Sequence, residues 1–96
     1  MPTRLDQTVY RPVSSQNVSF TATAGNSTSL VSKSGIARIV ATTDCYYNVG
    51  SGVTATTSNV LLPAYAVEYV KFAESDIFSF VRLTSDGTAN VTIMSA

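Results

Sequence analysis

Between Arg38 and Leu62 the chain reads RIVATTDCYYNVGSGVTATTSNVLL, dense in Val, Ile, Thr and Tyr and interrupted only at Asp44 and at Gly50–Ser51–Gly52. β-Branched and aromatic residues at this density favour extended backbone, because their stiff side chains pack well on a pleated surface. The apolar positions show no helical period, and the interruptions are of turn type. The stretch reads as strand, tight turn, short strand, loop and strand again. A chain organised around it is expected to be a β-protein with short strands.

Strand signals recur on both sides. In Asn17–Ala22, Val18, Phe20 and Ala22 point one way and Asn17, Ser19 and Thr21 the other. Gly25–Asn26 reads as a turn and Ser29–Ser32 as a short strand around Leu30 and Val31. Ile36–Thr42 is apolar on both faces, as a central strand would be. Asp44 is placed to cap the next turn, Cys45–Val49 is the following strand, and Val53–Ser58 is read as an exposed loop. Asn59–Leu62 ends at Pro63, and Val67–Phe72 again reads as apolar on two sides. Ile77–Thr84 is the most apolar run, and the last strand, Ala89–Met94, sets Ala89, Val91 and Ile93 inward. Between these two runs, Asp86–Gly87 is a strong hairpin signal. About eight short strands and no helix make an all-β domain, a small antiparallel sandwich or barrel, with a jelly roll among the admissible topologies.

Residues 1–15, with Pro2 and Pro12, read as an extended N-terminal arm ahead of a single β-domain spanning 16–96. Leu5, Val9 and Tyr10 alternate with Arg4 and Arg11, too sparsely for a core of their own. These five residues are the expected protein-interface positions, with the arm reaching onto a neighbouring chain. The opening MPTRLDQTVYRPV lacks the apolar core of a signal peptide, so the expectation is assembly in a cytoplasm.

Composition narrows the functional classes. Six cationic and six anionic side chains cancel, and only 12% of residues are charged. Nothing steers such a chain toward nucleic acid or an anionic membrane, so neither partner is expected. Roughly a quarter of the residues are Ser or Thr, which gives a polar but uncharged surface suited to resting against protein. Cys45 is the single cysteine and there is no histidine. No metal or other cofactor is expected, and the commonest general base is missing. Arg38 and Arg82 lie inside apolar strands and could pair with Glu68 or Asp44 or mark a subunit contact.

Of the acids, Asp44, Asp76 and Asp86 fall in turns, and Glu68 is alone within a strand. That leaves no paired carboxylates for acid–base work, and no enzyme is expected. Tyr46, Tyr47 and Tyr65 could offer stacking faces to a glycan, although Tyr46 and Tyr47, being adjacent, should point to opposite faces of one strand. The N-x-S/T triplets at Asn17, Asn26 and Asn90 read as coincidence in so Ser/Thr-rich a chain.

An ordered set of short words runs through residues 36–96: Ala41-Thr-Thr-Asp-Cys45, Gly50, Leu62-Pro-Ala64, Glu68-Tyr69 and Asp86-Gly-Thr-Ala-Asn-Val-Thr92. This set resembles small tailed-bacteriophage virion proteins of the capsid decoration, or cement, type. The resemblance implies a non-enzymatic role on the virion, at the capsid exterior. Many copies would bind the major capsid protein and bridge neighbouring subunits, as a homo-oligomer for which a trimer suits threefold lattice positions. A neck, tail or fibre-attachment protein, or a small glycan-binding module, are the alternatives.

Overall fold

The computed structural model describes residues 11–30 and 34–95. Eight strands follow in order: β1 (Arg11–Phe20), β2 (Gly25–Asn26), β3 (Ser34–Ala41), β4 (Cys45–Gly50), β5 (Val60–Leu62), β6 (Glu68–Ala73), β7 (Ile77–Arg82) and β8 (Gly87–Ser95). They form two four-stranded sheets, a first of order β1-β8-β3-β6 and a second of order β2-β7-β4-β5. Every pairing is antiparallel. The partners β1 and β8, β2 and β7, β3 and β6, and β4 and β5 are those of one long hairpin rolled up on itself. The roll is closed by β3 against β8 and β4 against β7. This is a jelly roll, two Greek keys stacked as a sandwich.

The core follows from strand alternation. The first sheet turns Val18, Phe20, Ala37, Ile39, Ala89, Val91 and Phe72 inward, and the second contributes Cys45, Tyr47, Leu62, Phe78 and Phe80. Phe80 is fully buried, with ring centroids 6.3 Å from Phe20, 6.4 Å from Tyr47 and 6.3 Å from Phe78. Phe20 belongs to the first sheet, so this aromatic group spans the sandwich.

Several local expectations are corrected by partner choice. Asp86–Gly87 is not a hairpin turn: β7 and β8 lie in different sheets, and only the β4–β5 connection joins ladder neighbours. Gly87 is needed for space instead. A Cβ there would stand 2.3 Å from Thr43 Oγ1 and 2.9 Å from the Phe20 ring. Gly25–Asn26 is not the turn but β2 itself, paired with Phe80 and Ser79. The Ser29–Ser32 strand is absent as far as Leu30, with Val31 and Ser32 outside the described residues. Leu30 is buried, yet its backbone bonds the β6–β7 turn, donating to Asp76 O (2.9 Å) and accepting from Ser75 N–H (3.0 Å). Two bonds to a turn replace a ladder.

Two strands also change standing. β6 is an edge strand with one buried face: Phe72 points in, while Tyr69 and Lys71 are exposed. β1 starts at Arg11 and pairs with β8 along its length, so residues 11–15 of the expected arm belong to the sheet. The shared ladder with β8 overrides the bias of Pro12, whose missing amide coincides with a register shift between Pro12 and Ser14.

Because Phe80 holds the inter-sheet aromatic group, Phe80→Ala is expected to cost about 3–5 kcal/mol. Phe80→Leu should cost less than half of that. Urea denaturation followed by circular dichroism distinguishes them, and equal costs would remove the ring from its assigned role.

Candidate functional site

Four sheet-to-sheet connections, residues 21–24, 42–44, 63–67 and 83–86, gather at one end of the sandwich. Arg82 N–H donates to Thr21 O (3.1 Å), Leu83 N–H to Asp44 O (3.2 Å) and Tyr65 N–H to Ala41 O (2.7 Å). Asp44 does cap a turn, but a distant one, its Oδ1 accepting from Ala64 N–H at 2.7 Å. The Thr42 and Thr43 hydroxyls add bonds to Thr88 N–H (3.0 Å) and Ser85 O (3.1 Å). Arg82 finds its partner here as well, Asp86 at 2.7 Å, on an exposed pair worth little to stability.

Tyr65 stands out from this end. Ala66 N–H closes a turn onto Pro63 O (3.1 Å), which places Tyr65 at the third residue with φ 61°. A positive φ ordinarily selects Gly at such a corner, and a bulky residue there is strained by roughly 1–3 kcal/mol. The side chain is nonetheless 72% exposed. Beneath it, on the outer face of the first sheet, lies a pocket of ≈ 290 Å³. Val40 gives it an apolar floor, and Asn17, Asn90, Thr42 and Thr88 surround it, with Ala41 at its margin.

The asparagines form an ordered ladder across β1 and β8. Asn17 and Asn90 are directly opposite one another, and Asn90 Nδ2 donates to Asn17 Oδ1 at 3.0 Å and to Ser15 Oγ at 3.4 Å. Thr92 Oγ1 donates to Asn90 Oδ1 at 2.6 Å. Both asparagines come from N-x-S/T triplets, and what the sequence hides is that the strand register sets them face to face.

On one side of the sandwich both sheets end in free edges, β5 and β6, joined by residues 63–67. Val60, Leu61, Val67 and Tyr69 are all exposed there. The outer face of the second sheet is treated differently, because residues 53–58 fold back toward it. Ser79 Oγ, fully buried, accepts from Ala55 N–H (2.8 Å) and donates to Asn26 Oδ1 (2.7 Å). Ala55 is buried, which corrects the expectation of a wholly exposed loop. Ser79→Ala strands a buried amide and is expected to cost about 1–3 kcal/mol. Limited proteolysis should then cut within residues 53–58 faster than in the parent chain, and unchanged cleavage would show that the bond does not hold the loop.

Tyr46 and Tyr47 do point apart, Tyr47 into the core and Tyr46 half-buried on the outer face. The Tyr47 hydroxyl reaches across the sandwich to donate to Glu68 Oε1 at 3.1 Å. Burial, then the Glu68 hydrogen bond and charge, push the Tyr47 phenol up to about 12 from 10.0. Burial, then the Asp44 charge, push the Cys45 thiol up to about 11 from 9.0. Both groups hold their protons more tightly folded than unfolded. Their stabilisation is complete below about pH 9 and is lost as pH rises through the folded values. The melting temperature is expected to fall from pH 9 toward 12, with Cys45→Ala flattening the lower part of the fall and Tyr47→Phe the upper part. A Tyr47→Phe variant with the parent's slope would refute the assignment.

Of the expected interface residues, Arg4, Leu5, Val9 and Tyr10 lie outside the described residues, and Arg11 opens β1 opposite Ser95. Arg38 sits mid-sheet between Tyr69 and Thr92. Among the described residues no three His, Cys, Asp or Glu side chains are grouped to hold a metal ion. Comparison with known proteins gives no match to any family model, curated protein or solved structure.

Proposed function

We propose that this chain is a non-enzymatic capsid decoration protein of a tailed bacteriophage, binding the outside of the major capsid lattice and stabilising the head. The observation that carries the reading is the set of exposed apolar side chains along the free edges β5 and β6. Val60 and Leu61 on β5, Tyr69 on β6 and Val67 just ahead of it are 53%, 47%, 59% and 44% exposed. Proteins that stay single usually blunt such edges with charge, proline or a bulge. β6 carries Lys71 and Glu68, but β5 carries no charge, as suits an edge that other protein covers.

The remaining support is of two kinds. A surface with little charge loses little hydration when it is pressed against a shell. The jelly roll recurs in viral coat domains, an analogy of fold that adds weight without assigning a role. The words in residues 36–96 that resemble phage cement proteins supply the role itself. Identical edges meeting around a threefold lattice position would make the working unit a trimer.

Quantitative mass spectrometry of purified particles tests this. On the order of hundreds of copies, in simple ratio to the major capsid protein, are expected for a lattice-wide role. About a dozen copies would place the chain at a neck or tail instead, and absence from particles would end the virion reading. Leu61→Asp and Tyr69→Asp put charge on exposed positions and should leave the fold intact. Each is expected to weaken co-sedimentation with undecorated capsids at least about tenfold.

A further inference from the structure

We infer that the pocket under Tyr65 is a binding site for one ring of a neutral saccharide. This goes beyond lattice binding and does not depend on it, because the pocket lies on the outer face of the first sheet rather than along the β5–β6 edge.

The size, the charge and the arrangement of polar atoms point the same way. A volume of ≈ 290 Å³ lies just under the ~300–1,000 Å³ typical of ligand pockets and suits a single ring. No charged side chain lines it, so an anionic ligand such as a phosphate or a nucleotide finds no counter-charge. A pyranose has an apolar face of C–H groups and a rim of hydroxyls. The Tyr65 ring, carried on a backbone pinned by the bonds at residues 64–66, offers an exposed aromatic face to the first. Val40 supplies the apolar floor.

The rim is met by uncharged hydrogen-bonding groups that the fold has already oriented. Asn17 spends its Oδ1 on Asn90, which fixes the amide's orientation and leaves the two Nδ2 donors for a ligand. Thr42 Oγ1 accepts from Thr88 N–H, so its hydroxyl proton is free to be donated. The Thr88 hydroxyl adds a group that can donate or accept. Asn90, held by Ser15, Asn17 and Thr92, positions Asn17 rather than serving the ligand itself. Groups fixed before binding lose little entropy when a ligand arrives. That gives the strained Tyr65 backbone a use, since relaxing it would move the ring off the pocket.

The test is a titration of the isotope-labelled full chain, followed by nuclear magnetic resonance. The probes are tetrasaccharides of glucose, galactose, mannose and N-acetylglucosamine, with adenosine as a flat neutral control. At least one saccharide is expected to shift the amides of residues 40–43, 64–66 and 88–90 together with the Asn17 side-chain amide, and adenosine is not. Tyr65→Ala keeps a Cβ on the same backbone and is expected to weaken binding at least about tenfold, while Tyr65→Phe stays within about threefold. Asn17→Leu should weaken it as well. The inference is overturned if no saccharide moves these amides, if the shifts map to the β5–β6 edge, if adenosine binds in their place, or if Tyr65→Ala binds like the parent.

Discussion

The contact on which this sandwich depends is Phe80 against Phe20, the point where an aromatic of one sheet meets an aromatic of the other. No disulfide ties the two small sheets, since Cys45 is the single cysteine and is free and buried. What keeps them together is the apolar area removed from water between them, and aromatic rings contribute the largest share per residue. Phe80 also touches Phe78 along its own strand and Tyr47 on the neighbouring one. The group therefore sets the spacing of the layers and the seating of β4 against β7 at once.

Around that centre the edges are closed by polar bonds. One rung of the first sheet runs Gln16, Val91, Ile39, Glu68, inward-facing throughout. Its apolar middle lies in the core, and each end carries a polar side chain that reaches toward the second sheet. Glu68 accepts from Tyr47, and Gln16 Oε1 accepts from Thr28 N–H (2.9 Å) and the Thr28 hydroxyl (3.2 Å) beyond β2. Water is thus kept from the layer by groups that can tolerate it. Among the described residues no buried side-chain nitrogen or oxygen lacks a partner. That is what lets Ser27, Ser79 and Thr92 be buried without penalty.

How far this could be read beforehand depended on whether a feature was local. Alternation marked the inward faces of Val18 and Phe20 and of Ala89, Val91 and Ile93, because a period of two is a property of the strand alone. The same rule separated Tyr46 from Tyr47. Partner choice is not local, so Asp86–Gly87 resembled a hairpin although its flanking strands enter different sheets, and Gly25–Asn26 resembled a turn although it pairs with β7. Ser79 in IFSFVR read as one more strand residue, while its hydroxyl links two other segments. The pocket was the least legible. Its asparagines come from opposite ends of the chain, and nothing in Leu62-Pro-Ala-Tyr65 announces a positive φ at a tyrosine.

The pairing of β1 with β8 has a kinetic side. The longest ladder in the molecule joins the first described strand to the last. During synthesis β1 waits unpaired until β8 has left the ribosome, and β3 waits with it for its central neighbour. A topology so dominated by distant contacts folds slowly, on the order of milliseconds to seconds, because loop entropy is lost before the pairing is gained. The apolar side chains of β5 and β6 are meanwhile left uncovered. Fast closure of this last step shortens that exposure, and β8 is where variation in its speed would be written.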